Sequence, residues 1–133
     1  MTFRIQVQLK TEQKSFSFLL KDCIVFNQPI GNWNTSNVTD MLAMFTNAQK
    51  FNKPIGNWDV GKVTDMSEMF LWANAFNQNL SNWPTNPNGT RTGFATGLYT
   101  YLMFESCPIN TVQGIPTKPN TDTNTWQSYN WIS

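Results

Sequence analysis

The sequence predicts an α/β solenoid of about four coils, each a short strand followed by a short helix, with degenerate caps at both ends. Three observations predict it. Residues 26–50 (FNQPIGNWNTSNVTDMLAMFTNAQK) and 51–75 (FNKPIGNWDVGKVTDMSEMFLWANA) are identical at 14 of 25 positions without a gap. Within each copy a short apolar segment precedes residues that recur at helical spacing. The 133 residues fit one domain with one core, and no segment looks able to fold without its neighbours.

Taken in chain order, residues 1–25 form the N-terminal cap. MTFRIQVQLK alternates Phe3, Ile5, Val7 and Leu9 with polar residues, the pattern of a half-buried strand. Leu19, Leu20 and Cys23 stand 25 residues before Met44, Phe45 and Ala48, so the cap also contains a degenerate coil. Residues 26–50 and 51–75 are the two clear repeats. In the second, Ile55, Trp58 and Val60 suit a strand on the inside of the coil, and Val63, Met66, Met69, Phe70, Ala73 and Phe76 suit a helix. Thr64 is placed as its N-cap and Asp65 in its first turn, where the helix dipole favours a carboxylate. Thr39 and Asp40 repeat that arrangement. Pro29 or Pro54 followed by Ile-Gly-Asn turns the chain, with glycine expected at positive φ. Residues 76–110 hold a third copy, FNQNLSNW, interrupted by PTNPNGTRT, with a degenerate last coil marked by Met103, Phe104 and Cys107. Residues 111–133 form a C-terminal arm. Stacked coils put Phe26, Phe51 and Phe76 in one column, Trp33, Trp58 and Trp83 in another, and Asn27, Asn52 and Asn77 in an amide ladder.

Several kinds of chemistry are excluded at this level. Charged residues are 13% of the chain and the formal net charge is +1, so no basic field attracts nucleic acid or anionic lipid. No apolar stretch approaches the roughly 20 residues of a membrane span, and the N-terminus lacks the apolar run of a signal peptide. Without histidine, the commonest general base and metal ligand is missing, and no cofactor, metal or catalytic site is assigned. Cys23 and Cys107 occupy the small buried position of Ala48 and Ala73; three coil steps, roughly 14 Å, separate them, too far for a disulfide. Asn34, Asn37, Asn79 and Asn88 open N-x-S/T sequons, which an Asn- and Thr-rich chain produces by composition. Asp40 and Asp65 fall about 5 Å apart in adjacent coils. A carbohydrate-active enzyme using that pair is the alternative from another class, although no cleft accompanies it.

The string FNQPIGNWNTSNVTDMLAMF resembles the 26-residue repeat of bacterial surface proteins, of the mycoplasma and listerial lipoprotein type, related to BspA-like leucine-rich repeats. The resemblance spans residues 26–83 and, more weakly, 13–25 and 99–110. It implies a leucine-rich-repeat-like solenoid, surface display and adhesion, and it brings no catalytic residues. Positions that vary between copies are those the core does not dictate. Leu42 stands where the next copy has Ser67, and Leu71 and Trp72 stand where the previous copy has Thr46 and Asn47, so these three are expected to face outward as a contact patch. Trp126, Tyr129 and Trp131, in an otherwise polar arm, are expected to dock on the stack or on a neighbour. The expected function is a non-enzymatic structural or protein-interaction repeat, such as a cementing subunit of a virion or other assembly. The alternative is a fragment of a cell-surface adhesin, with a cell-surface ligand in place of other protein subunits as partner.

Overall fold

The computed structural model describes residues 13–80, 83, 95 and 98–109. The strand expected over residues 1–10, most of the 84–98 insert and the arm with Trp126, Tyr129 and Trp131 lie outside the described residues.

Coils stack in register, as the repeat requires. Parallel bridges join Ser15 to Asp40, Asp40 to Asp65, and Asp65 to Tyr99. We call residues 15–39 coil 1, 40–64 coil 2, 65–98 coil 3 and 99–109 coil 4. The spacing of 25 residues widens to 34 only at the last step, which places the insertion within coil 3 as the late Met103 and Phe104 indicate.

The strand-plus-helix coil is wrong. Among the described residues there is no helix, and the only strand-like pairing is the three isolated bridges. Residues 55–60 are not a strand, and 63–76 are not a helix. What replaces the helix is a ribbon of consecutive β-turns. In coil 2 the amides of Met44, Thr46 and Ala48 donate to the carbonyls three residues back, on Met41, Ala43 and Phe45. The intervening amides, of Met41, Ala43, Phe45 and Asn47, donate instead to Asp65, Ser67, Met69 and Leu71 of coil 3, at 2.7–2.9 Å. Backbone donors therefore alternate between closing a turn and joining the next coil. A helix is excluded because it would direct all of them inward, four residues back. Ala43 and Asn47 lie at φ 54° and 58°, as do their counterparts Phe18 and Asp22, Glu68 and Trp72, and Leu102 and Ser106 at 53–60°. Positive φ at the third residue is the mark of a type II turn, so two such turns flank a third in every ribbon.

The helical spacing of apolar residues was genuine but had another cause. Each turn in the ribbon advances the chain by two residues, so two turns bring residue i+4 to the face of residue i, much as one helical turn does. Met66, Met69, Phe70, Ala73 and Phe76 accordingly all point into the core. Thr64 caps no helix: its hydroxyl donates to the Thr39 carbonyl at 3.0 Å, and Thr39 does the same to Lys14. Asp40 and Asp65 answer no helix dipole, and each accepts the amide two residues on, from Leu42 at 2.9 Å and Ser67 at 2.8 Å. These are Asx turns that start the ribbon.

The expected columns form the core. Trp33 and Trp58 stack 6.4 Å apart and 6° from parallel, Phe26 and Phe51 lie 5.8 Å apart, and Phe45, Phe70 and Phe104 follow one another at 5.3 and 5.5 Å. Buried indoles keep a polar partner by reaching back one coil: Trp58 Nε1 donates to Ile30 O and Trp83 Nε1 to Ile55 O, both at 3.1 Å. Asn27 accepts the Asn52 amide, and Asn52 accepts that of Asn77, each at 2.9 Å. The two turn glycines have a reason other than positive φ. A Cβ on Gly31 would lie 2.8 Å from Pro54 O, and one on Gly56 would lie 2.8 Å from Asn79 O, so the next coil packs directly on them.

Candidate interaction surface

Once alternate amides are committed to turns and to neighbouring coils, the ribbon leaves a few side-chain columns pointing outward. One of them runs Asp22, Asn47, Trp72, Ser106. Its first members are polar and bonded, Asn47 Nδ2 donating to Asp22 Oδ1 at 3.0 Å, and stacking does not call for an indole in the third place. Trp72 is nevertheless there, 52% exposed. Two further columns begin Ser15, Asp40, Asp65 and Ser17, Leu42, Ser67, and end in coil 4 with Tyr99 and Tyr101, 60% and 50% exposed. Three large aromatic side chains thus appear on the last two coils at positions where the earlier coils carry mostly small or polar residues. Asp65, bridged to Tyr99, and Glu68, whose amide donates to the Tyr101 carbonyl at 2.7 Å, put carboxylates on the same ribbon.

Of the patch expected from the sequence, Trp72 is exposed and Leu42 half-buried, but Leu71 is only 9% exposed. Leu71 shares its column with Thr46, which is itself buried and donates to Glu68 O, so variation between copies there reflects a different way of filling one buried position. Tyr99 and Tyr101 were missed. Extending the coil 4 alignment back from Met103 would have put both into outward columns. A second group, Phe18, Leu19, Ile24 and Val25, is exposed on coil 1, with the Lys21 ammonium 5.7 Å from the Phe18 ring centre.

Asp40 and Asp65 are brought together as parallel bridge partners, and each accepts the backbone amide two residues on. Both cysteines are free thiols with raised pKa values: burial lifts Cys107 to about 11, and burial together with the neighbouring Asp22 carboxylate raises Cys23. Neither is a ready thiolate nucleophile near neutral pH. Among the described residues no group of three potential ligands could hold a metal ion, and no helix is long and apolar enough to cross a membrane.

No curated protein and no solved structure matches the chain. A family model does match, over residues 9–96, which takes in the degenerate first coil, both clear repeats and the start of the third. The chain that builds this stack of turn ribbons belongs to the family described as Mycoplasma protein of unknown function, DUF285.

Proposed function

We propose that the chain is a non-enzymatic protein-interaction repeat, whose stack of ribbons displays a partner-binding face on coils 3 and 4. The observation that carries this reading is the exposure of the Trp72, Tyr99 and Tyr101 side chains on two adjacent coils. Exposed tryptophan and tyrosine are the side chains that most often anchor protein interfaces, because they bury a large area at small entropic cost and keep a polar edge. The low charge of the chain suits a partner recognised by apolar contact and hydrogen bonds rather than by electrostatic steering.

Two settings for such a face are open, a subunit that cements a larger assembly and a module of a surface adhesin. The match to a mycoplasma family, together with the repeat string FNQPIGNWNTSNVTDM, favours the surface-protein type of 26-residue repeat and hence the adhesin. A photoreactive residue placed at position 72 or 101, in the chain expressed in its own cells, is expected to capture one protein in near-stoichiometric yield, while the same probe at the exposed Lys50 captures none. Binding of the purified chain to host matrix proteins or glycans, lost in Trp72→Ala, would select the adhesin. Equal capture from position 50, or binding indifferent to Trp72 and Tyr101, would refute the assigned face.

A further inference from the structure

Four N-x-S/T sequons stand in the sequence, and composition accounts for their number but not for the geometry of the first. In Asn34-Thr35-Ser36, on coil 1, Asn34 is exposed and Ser36 half-buried. Asn34 Oδ1 accepts two hydrogen bonds from Ser36, one from the backbone amide at 3.1 Å and one from the hydroxyl at 2.7 Å. A backbone N–H can only donate, so the atom it faces is the carboxamide oxygen, and Nδ2 is left without a hydrogen bond among the described residues. Thr35 fixes the turn from beneath. It is 2% exposed, and its hydroxyl donates to the Asp59 carbonyl of coil 2 at 2.9 Å.

The stack itself does not ask for this trio. One coil on, Asp59, Val60 and Gly61 hold the same three positions, and Asp59 Oδ1 accepts the Gly61 amide at 3.0 Å. The turn therefore closes with a carboxylate and without a side chain two residues on. Coil 1 adds a carboxamide nitrogen and a hydroxyl, the two groups that distinguish an acceptor sequon from any other Asx turn. The second sequon, Asn37-Val38-Thr39, lacks the arrangement. Its Thr39 hydroxyl is directed to the Lys14 carbonyl at 3.3 Å, the inter-coil role that Thr64 repeats toward Thr39. Ser81, which completes the sequon of Asn79, and the whole sequon at Asn88 lie outside the described residues.

We infer that Asn34 is a glycosylation acceptor, modified on the folded chain by a transferase that uses a diphosphate-activated sugar. In the transfer Nδ2 attacks the anomeric carbon. The N–C bond forms as the bond from that carbon to the diphosphate oxygen breaks, the diphosphate leaves with the electron pair, and the Nδ2 proton passes to a base of the transferase. A carboxamide nitrogen is a poor nucleophile, because its lone pair is delocalised onto the oxygen. Two donors already aimed at Oδ1 stabilise the negative charge that gathers there as Nδ2 gives up its proton, and they need no reorganisation at that moment. The Thr35 anchor keeps them in place. This site shares no residue with the face formed by Trp72, Tyr99 and Tyr101, and neither depends on the other.

Peptide mass spectrometry of the full chain purified from its own cells is the test. Sugar is expected on most copies of Asn34, and about tenfold less often on Asn37, where the hydroxyl is engaged elsewhere. Ser36→Ala is expected to abolish the modification and Ser36→Thr to keep it. Thr35→Val leaves the motif intact and puts in the residue that coil 2 has there, but it frees the turn from Asp59 O, and occupancy is expected to fall severalfold. Asn34→Asp keeps the turn as Asp59 does. It is expected to lose the sugar while the Phe16, Phe18 and Leu20 amides stay protected from hydrogen exchange, which separates loss of the acceptor from loss of the fold. Bare Asn34 in the native chain, equal occupancy at Asn37, or occupancy indifferent to Thr35→Val would each overturn the inference.

Discussion

Ala43 and Ala73 are both buried in the same ribbon column system, but Ala43 sits at φ 54° and Ala73 is not among the positive-φ residues. A Cβ at positive φ crowds the following carbonyl and costs about 1–2 kcal/mol, while glycine loses about 0.5–1 kcal/mol of chain entropy relative to alanine. Ala43→Gly is therefore expected to leave stability unchanged or raise it by up to about 1 kcal/mol, whereas Ala73→Gly lowers it by about 1 kcal/mol or more. Paired denaturant titrations check this, and equal losses at both sites would remove the left-handed assignment at position 43. The same residues show why the turns were hidden in the sequence. Glycine or asparagine is the usual sign of positive φ, yet six of the eight sites hold Phe, Ala, Glu, Trp, Leu or Ser, and the other two Asp22 and Asn47. Inter-coil hydrogen bonds on the ribbon hold these residues in place, and no local preference announces them.

At the scale of the turn ribbon, the sequence carried the repeat, its register and the buried columns, but not the local conformation. Apolar residues every three or four positions signal only that one face is buried, and a helix and a ribbon of turns share that spacing. The feature that separates them is where the backbone donors go, which side-chain pattern does not record. Asp40 and Asp65 are instructive, since a carboxylate before an apolar run serves equally as a first-turn acid or as the opening of an Asx turn. The present geometry makes a distinct forecast. Asp65→Ala removes the acceptor of the Ser67 amide and is expected to cost about 1 kcal/mol, while Asp65→Asn keeps an equivalent oxygen and costs a few tenths. A helix-dipole role would make Asn nearly as damaging as Ala, so thermal melts of the two variants discriminate. For the interaction face, Trp72 was legible because it broke a polar column. Tyr99 and Tyr101 were hidden by the insertion, and Leu71 was misjudged because a buried column can hold either a bonded threonine or a leucine.

For the molecule as a whole, the inter-coil hydrogen bonds and ring contacts among the described residues run between adjacent coils, so stability in this part is close to a sum of nearest-neighbour contacts. Equivalent residues should then differ in importance with their place in the stack. Phe70 lies between Phe45 at 5.3 Å and Phe104 at 5.5 Å, and it also packs on Phe76 at 4.2 Å. Phe70→Ala opens a cavity between two coils and severs the column, so it is expected to cost about 3–5 kcal/mol and lower protection of amides in coils 2, 3 and 4 together. Phe104→Ala is expected to accelerate hydrogen exchange chiefly at amides whose acceptors lie in coil 4, such as Met66, Glu68 and Trp72, while leaving Phe16, Phe18 and Leu20 protected. Exchange measured residue by residue distinguishes this gradient from a single cooperative unit. If both variants raised exchange uniformly from coil 1 to coil 4, stacking along the column would not be what divides the stability, and the longer-range coupling would have to come from the inter-coil backbone rows.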